Sequence, residues 1–277
     1  MFKNILVPQD GSNHSRTALA YGIWLARKFD AKLIGLYVVD VVVMEGPFLH
    51  DLSGSLGFEP FLNFSTKMRE ILENKGKGIL KEFRETCERE KVAYDGAQGF
   101  GIVTNTICER AKLADIVIMG RRGINIQFEY GLLGSTTEGV VRKSPRPVII
   151  VSDEYKEPSN PLFAYDGSFT ASSAMHSAAE FVKTLQLPLT VLTVSRDGNG
   201  EALLKEAKEY FKPYNIQPQF ISVKGDTPQE IVRYYKENNH DILFMGVTSH
   251  SRIIEMVLGS TTEYVMRNVN GPVFLGR

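Results

Sequence analysis

The chain repeats its turn sequences at long range, which indicates two copies of one domain. Residues 133–138 (Leu-Gly-Ser-Thr-Thr-Glu) recur at 258–263, and Asp10-Gly11-Ser12 recurs at 166–168. A repeat this long is a duplicated domain rather than a solenoid unit. The offset is 156 at the Asp-Gly-Ser turn and 126 at Gly120 and its equivalent, so the first copy carries 156 − 126 = 30 extra residues. Because turn chemistry is what recurs, we expect the function to lie in the repeated turns.

The 277 residues divide into two predicted domains, 1–152 and 161–277, joined by a polar, proline-bearing linker at 153–160. Each domain is long enough to bury a core. Lys+Arg and Asp+Glu both number 32, so the net charge is zero, which argues against nucleic acid or an anionic membrane as the main partner. There are two cysteines without CxxC spacing, no signal peptide and no apolar run of about 20 residues, so we expect a cytoplasmic protein with reduced thiols.

Strand and helix patterns alternate through both copies. The first copy reads as strands near 5–8, 32–39, 94–100, 115–120 and 147–151, with helices at 15–29, 65–90, 104–113 and from about 134. The second reads as strands near 161–165, 188–195, 218–223, 241–246 and 272–275, with helices at 170–184, 200–212, 228–239 and 260–268. Strict alternation requires parallel strands with right-handed crossovers. The predicted fold class is α/β, with two tandem doubly wound domains of five parallel strands each.

Polar and glycine-bearing turns follow three strands of the first copy, at the sheet edge where ligands bind in such folds. Residues 8–10 (Pro-Gln-Asp) follow the first strand, and Val38 lies at the end of the second. Gly120 and Gly123 follow the fourth strand, where bare backbone allows close approach of a ribose or a phosphate. Gly134-Ser135-Thr136 opens a helix whose free amides and dipole favour an anion.

Both copies resemble universal stress protein domains. The resemblance rests on Asp after the first strand, G-x-x-G after the fourth, G-S/T at the next helix and Pro-Val at the last strand, and it covers nearly the whole chain. It implies an adenine nucleotide hydrolase-like fold with an adenine-nucleotide site in each copy, usually for ATP, with AMP or ADP as alternatives and Mg²⁺ as a candidate companion. The implied contacts in the first copy are Pro8, Asp10, Val38 and Gly120 around base and ribose, and Gly123, Gly134, Ser135 and Thr136 at the phosphates. In the second copy they are Asp166, Val194, Gly246, Ser249, Gly259, Ser260 and Thr261.

The resemblance also implies how the domains associate. Members of the family pair through the fifth strand, which corresponds here to Pro147–Val151 and Pro272–Leu275. In a tandem chain the two halves would pair with each other as an internal pseudo-dimer, and two chains could associate further as a homodimer.

Each copy departs from the family pattern at one point. Ten residues, rather than nine, lie between Gly123 and Gly134, and Ser249 replaces the second glycine of G-x-x-G in the second copy. If that position needs positive φ, serine costs on the order of 1 kcal/mol, which weakens binding without abolishing it. Ala164 also stands where the first copy has Pro8. We therefore keep both sites as expectations.

Two other functions stay open. A slow ATPase or nucleotide hydrolase would use Asp10 or Asp166 to activate water, whereas a scaffold would bind proteins and no nucleotide. We expect binding rather than fast turnover, because no general base is evident near a γ-phosphate, and we assign no catalytic residue and no metal-ligand cluster. Arg121 and Arg122 either neutralise the phosphates or are solvated. The apolar insertion at about 41–70 is a helical extension, a lid or an oligomer contact.

Overall fold

The computed structural model describes residues 2–42, 61–123, 133–196, 200–247 and 258–277, and for residues 61–65 it describes the backbone alone. Ser249 and the larger part of the apolar insertion, 43–60, lie outside the described residues. Within the described ranges, no helix is both long and apolar enough to cross a membrane.

The first half alternates five strands with four described helices. The strands are β1 (Asn4–Pro8), β2 (Lys32–Asp40), β3 (Tyr94–Gly101), β4 (Ile116–Gly120) and β5 (Val148–Val151). The helices are α1 (Asn13–Phe29), α2 (Phe61–Arg89), α3 (Val103–Ala111) and α4 (Ser135–Lys143). Every element that the hydrophobic pattern predicts is present, and α2 begins four residues before its predicted start.

The second half repeats the same order. Its strands are β6 (Pro161–Ala164), β7 (Thr190–Ser195), β8 (Gln219–Lys224), β9 (Ile242–Gly246) and β10 (Val273–Gly276). Its helices are α5 (Phe169–Leu185), α6 (Glu201–Phe211), α7 (Thr227–Glu237) and α8 (Ser260–Asn268). The halves differ most at the crossover after the second strand, where α2 has 29 residues and its counterpart α6 has 11.

All ten strands form one sheet in the order β3-β2-β1-β4-β5-β10-β9-β6-β7-β8. Strands within each half are parallel, and β5 and β10 join the halves as an antiparallel pair in which Ile149 faces Phe274. The predicted fold class is therefore confirmed. Because the joining pair is antiparallel, the carboxyl ends of the two strand sets lie at opposite edges of the sheet. The strand order reverses between β1 and β4 and between β6 and β9, the points where such folds bind ligands.

Apolar side chains of the strands alternate between two covered faces. Ile5 and Val7 point to the face that α1, α2, α5 and α6 cover, and Leu6 points to the face under α3, α4, α7 and α8. The halves also meet on the first face, where the rings of Trp24 in α1 and Phe181 in α5 have centroids 5.7 Å apart. One continuous core on each face thus supports both halves.

The predicted linker is hydrogen-bonded to both halves. Tyr21 in α1 donates its hydroxyl hydrogen to the Lys156 carbonyl at 3.0 Å and accepts the Lys156 amide at 3.1 Å. At the other end of the linker, the Ser159 hydroxyl and amide both donate to the buried carboxylate of Asp241. These contacts restrain the path of the chain from β5 to β6.

Candidate functional site

A tight turn after β1 fixes the orientation of Asp10. Gly11 has φ +83°, which is a left-handed conformation that favours glycine. The turn lets the Ser12 amide donate to Asp10 Oδ1 at 2.9 Å, and the Ser12 hydroxyl caps α1 by accepting from the Ser15 amide at 3.1 Å. The repeated Asp-Gly-Ser sequence therefore places a half-buried carboxylate at the end of a central strand, directly before a capped helix.

Gly123 lies directly beside this carboxylate. A Cβ added at Gly123 would stand 2.9 Å from Asp10 Oδ2. The two residues are 113 positions apart in the chain, yet the sheet brings them together where the strand order reverses. The absence of a side chain at Gly123 therefore keeps the space next to Asp10 open.

Gly134 joins the same loop to the first turn of α4. Its amide donates to the Arg121 carbonyl at 3.1 Å, and a Cβ added there would lie 3.4 Å from the Arg122 Cα. Gly134 is the N-cap of α4 and, as a glycine, has no side chain with which to cap this helix. The first amides of a helix have no partner within the helix, so those of α4 open next to the glycine loop. Ser135 is exposed and Thr136 is half-buried at this opening.

Backbone groups of β2 complete one side of this region. The Gln9 amide donates to the Leu36 carbonyl at 2.8 Å, and β1 ends at Pro8. Residues two apart in a strand present their backbone groups to the same side, so Val38 directs its amide and carbonyl beyond the end of β1. Val38 and Pro8 are both half-buried there. The predicted residues of the first copy thus meet at one edge of the sheet.

Glycine at position 120 is explained by the packing of α1 against β4. Its place after the fourth strand had indicated the close approach of a ligand instead. A Cβ at Gly120 would come within 2.5 Å of the His14 Cβ, so glycine is required here by the close approach of α1 to β4. The Gly120 carbonyl accepts a 2.9 Å hydrogen bond from the buried Thr137 hydroxyl. In the second copy a Cβ at Gly246 would lie 2.4 Å from the Ala171 amide nitrogen of α5.

His14 and Thr137 are site-lining residues that the sequence pattern did not single out. His14 is buried, and its burial lowers the pKa of its imidazole, while the charge of Asp153 opposes this shift. Its position two residues after the Asp-Gly-Ser turn is the one signal that sequence reasoning could have used. Thr137 is the last hydroxyl of the repeated Gly-Ser-Thr-Thr sequence, and its equivalent Thr262 is likewise buried.

The second copy reproduces this geometry at the opposite edge. The Ser168 amide donates to Asp166 Oδ1 at 3.0 Å, and Gly167 has φ +76°. Gly259 is the N-cap of α8 and has no side chain with which to cap the helix. Ser260, the next residue, is exposed, and Thr261 is half-buried. One described feature differs from the first copy, because Asp166 is exposed whereas Asp10 is half-buried. Ser249, the position equivalent to Gly123, lies outside the described residues.

Val194 occupies the same position in the second copy as Val38 in the first. It is half-buried near the end of β7, and the Tyr165 amide donates to the Leu192 carbonyl at 2.9 Å, as the Gln9 amide does to Leu36. The backbone of Val194 therefore also points past the end of the neighbouring strand, which here is β6.

Arg121 is neither a phosphate ligand nor a solvated loop residue, so both expectations for its side chain were wrong. Its Nη2 donates to the Val269 carbonyl of the second half at 2.6 Å. Burial, with Arg122 as the next cause, lowers the pKa of its guanidinium. The sequence could not indicate this contact, because it depends on how the halves join.

The model of the Universal stress protein family matches residues 1–152 and 196–277. The chain belongs to this family. The match omits 153–195, yet β6, α5 and β7 within that segment repeat the fold of the first half.

Relatives of this universal stress protein extend over its whole length. Universal stress protein Slr1230 from Synechocystis is 28% identical and covers 99% of this chain and 100% of its own length. Universal stress protein MJ0531 from Methanocaldococcus jannaschii is 33% identical over 159 residues, covering 57% of this chain and 86% of itself. A crystal structure of a universal stress protein from Archaeoglobus fulgidus has a TM-score of 0.80 at 25% identity and covers 99% of this chain and 98% of that one. The tandem arrangement therefore has full-length counterparts in sequence and in structure.

Proposed function

We propose that this universal stress protein binds an adenine nucleotide, ATP first among them, in each half and acts as a binding module or sensor in a stress response. The observation that carries the proposal is the meeting of Asp10, Gly123 and the uncapped start of α4 at the reversal point of the sheet. A carboxylate acceptor and a set of free amides, a loop apart, suit a ligand with hydroxyl groups at one end and phosphates at the other.

The residues present fit such a ligand. Gly123 leaves open the space that a side chain would fill, and Gly134 exposes the first-turn amides without a competing cap. In the proposal, Pro8, Asp10 and the Val38 backbone contact base and ribose. Gly123, the amides of α4 and the hydroxyls of Ser135 and Thr136 hold the phosphates, with Mg²⁺ bound chiefly by phosphate oxygens. Gly120 supports this site by admitting α1 close to β4.

The second site is proposed on the same elements, namely Asp166, Val194, Gly246 and the residues 259–261 that begin α8. Ser249 is retained as its counterpart to Gly123. Because Asp166 is exposed and serine replaces glycine, we propose weaker binding in this half.

Binding rather than hydrolysis is the function that we favour. Asp10 and Asp166 each accept a hydrogen bond from the amide two residues on, which orients each carboxylate at the end of its strand. The slow ATPase alternative requires one of these carboxylates to activate water. A turnover above about 1 s⁻¹ would favour it. A cytoplasmic location, expected from the sequence composition, and association of two chains into a homodimer, suggested by the family resemblance, are further parts of the proposal.

Calorimetric titration of the full chain with Mg-ATP tests the proposal. We expect two sites per chain, the stronger one weakened about thirtyfold in Gly134→Asp and the weaker one by a similar factor in Gly259→Asp. A stoichiometry of one would restrict the proposal to one half. Absence of binding to ATP, ADP and AMP would contradict it and favour a protein-binding scaffold.

A further inference from the structure

Two arginines cross from one half of the protein to the other and end on equivalent carbonyl groups. Arg121, directly after β4, donates from Nη2 to the Val269 carbonyl at 2.6 Å. Arg277, directly after β10, donates from Nη1 to the Ser144 carbonyl at 2.6 Å and from Nη2 to the Arg142 carbonyl. Ser144 and Val269 are the C-caps of α4 and α8. They are therefore the same position in the two copies.

These two helices are the ones that begin at the proposed phosphate sites. Each has nine residues, so its length is about 13 Å and its two ends behave as parts of one short rod. A guanidinium at the carboxyl end complements the negative end of the helix dipole. Its hydrogen bond also fixes where that end lies, and with it the direction in which the first-turn amides point.

Arg121 belongs to both sites at once. Its backbone carbonyl accepts the Gly134 amide at 3.1 Å, at the mouth of the first site. Its side chain holds the last turn of α8, whose first turn is the mouth of the second site. Arg121 therefore links the loop at the first site directly to the helix that begins at the second.

We propose that Arg121 and Arg277 are positioning residues that couple the two nucleotide sites, each by holding the phosphate-binding helix of the opposite half. The inference rests on the proposed function. It assigns to each arginine an effect on the nucleotide affinity of the half that does not contain it.

Single-site proteins make this effect measurable. Gly259→Asp leaves the first site and Gly134→Asp leaves the second, and Mg-ATP is titrated into the full chain in each background. Arg277→Gln should raise the Kd of the first site about fivefold, and Arg121→Gln should do the same at the second, within the usual range of coupling between sites. Each variant should change the Kd of the site in its own half by less than about twofold.

Arg146→Gln is the matched control, because Arg146 also donates to a backbone carbonyl, that of Lys112, but within its own half. We expect it to leave the Kd of the first site unchanged. Arg121→Lys and Arg277→Lys keep the charge without the planar fork, and should give a smaller loss in the same opposite half. If a glutamine variant does not fold, the corresponding lysine variant is titrated with Mg-ATP in its place.

Unchanged affinity in the opposite half, or an equal loss in both halves, would overturn the coupling. An equal loss would indicate that the arginines only stabilise the fold. If the unmodified chain binds no nucleotide, the proposed function itself fails, and the two failures are thereby distinguished.

Discussion

Replacing Gly134 with aspartate should weaken nucleotide binding without destabilising α4, so the variant distinguishes these two effects. Gly134 has φ −61° and ψ 138°, which any residue can adopt, and among the described residues its added Cβ meets no atom closer than 3.4 Å. Aspartate is a favourable N-cap residue, and its charge complements the start of α4. The variant should therefore be as stable as the parent protein or more stable by a few tenths of a kcal/mol.

Nucleotide binding should change in the opposite direction. Two unit charges about 4 Å apart interact by about 4 kcal/mol at an effective dielectric constant of 20. Because Ser135 beside the site is exposed, we halve this to about 2 kcal/mol, which is roughly a thirtyfold rise in Kd. The aspartate side chain also accepts hydrogen bonds from the amides that the phosphates would use.

Gly134→Asn is the control for shape and capping without charge. It should cap α4 equally well and raise the Kd by less than about fivefold. Calorimetry at fixed ionic strength gives the affinities, and urea unfolding gives the stabilities. If Gly134→Asp binds ATP as tightly as Gly134→Asn does, no phosphate lies at this helix and the reasoning is refuted.

Three further predictions concern packing and ionisation. Gly120→Ala should cost about 1–3 kcal/mol in urea unfolding because its Cβ would meet His14. Gly78→Ala in α2, whose added Cβ meets no described residue within 4 Å, should gain up to about 1 kcal/mol; equal effects would contradict this packing. Burial raises the pKa of Cys87 to about 12, and burial also raises the pKa of Cys108, so neither thiol should react with a disulfide reagent at pH 8 until the chain unfolds; rapid labelling of the native protein would contradict their burial. Burial lowers the pKa of His14, so the unfolded chain binds the additional proton and stability falls as the pH drops below about 6.5; His14→Gln should lose less stability than the parent between pH 7.5 and 5.5, and an equal loss would exclude His14 as a source of this dependence.

Local sequence patterns predicted the helices and strands, because each of these elements depends largely on residues that are neighbours in the chain. The alternation of apolar runs and helical stripes predicted all ten strands, and the Asp-Gly-Ser turns predicted where α1 and α5 begin. The family resemblance assigned Asp10 to the base and ribose and Gly123 to the phosphates of one site, but it did not predict that the two residues lie side by side. The domain limits at 152 and 161 and the roles of individual site residues stay predictions.

Features that the sequence could not predict depend on contacts between distant segments. The reason for Gly120 is the backbone of α1, which lies more than a hundred residues earlier. The Arg121 side chain finds its partner, Val269, only because β5 and β10 join the halves. A pattern of residue types does not encode such distances. The sequence therefore indicated a ribose contact for Gly120, and either phosphate neutralisation or solvation for Arg121, but neither packing contact.

The most direct test of the account follows backbone amides by NMR during addition of Mg-ATP to isotope-labelled protein. The amides of Ser135 and Thr136 should move furthest, followed at higher concentration by those of Ser260 and Thr261, because hydrogen bonds from the first turns of α4 and α8 to phosphate oxygens shift these signals strongly. Saturable ATP binding that leaves all four amides unmoved would place the phosphates elsewhere and contradict the account.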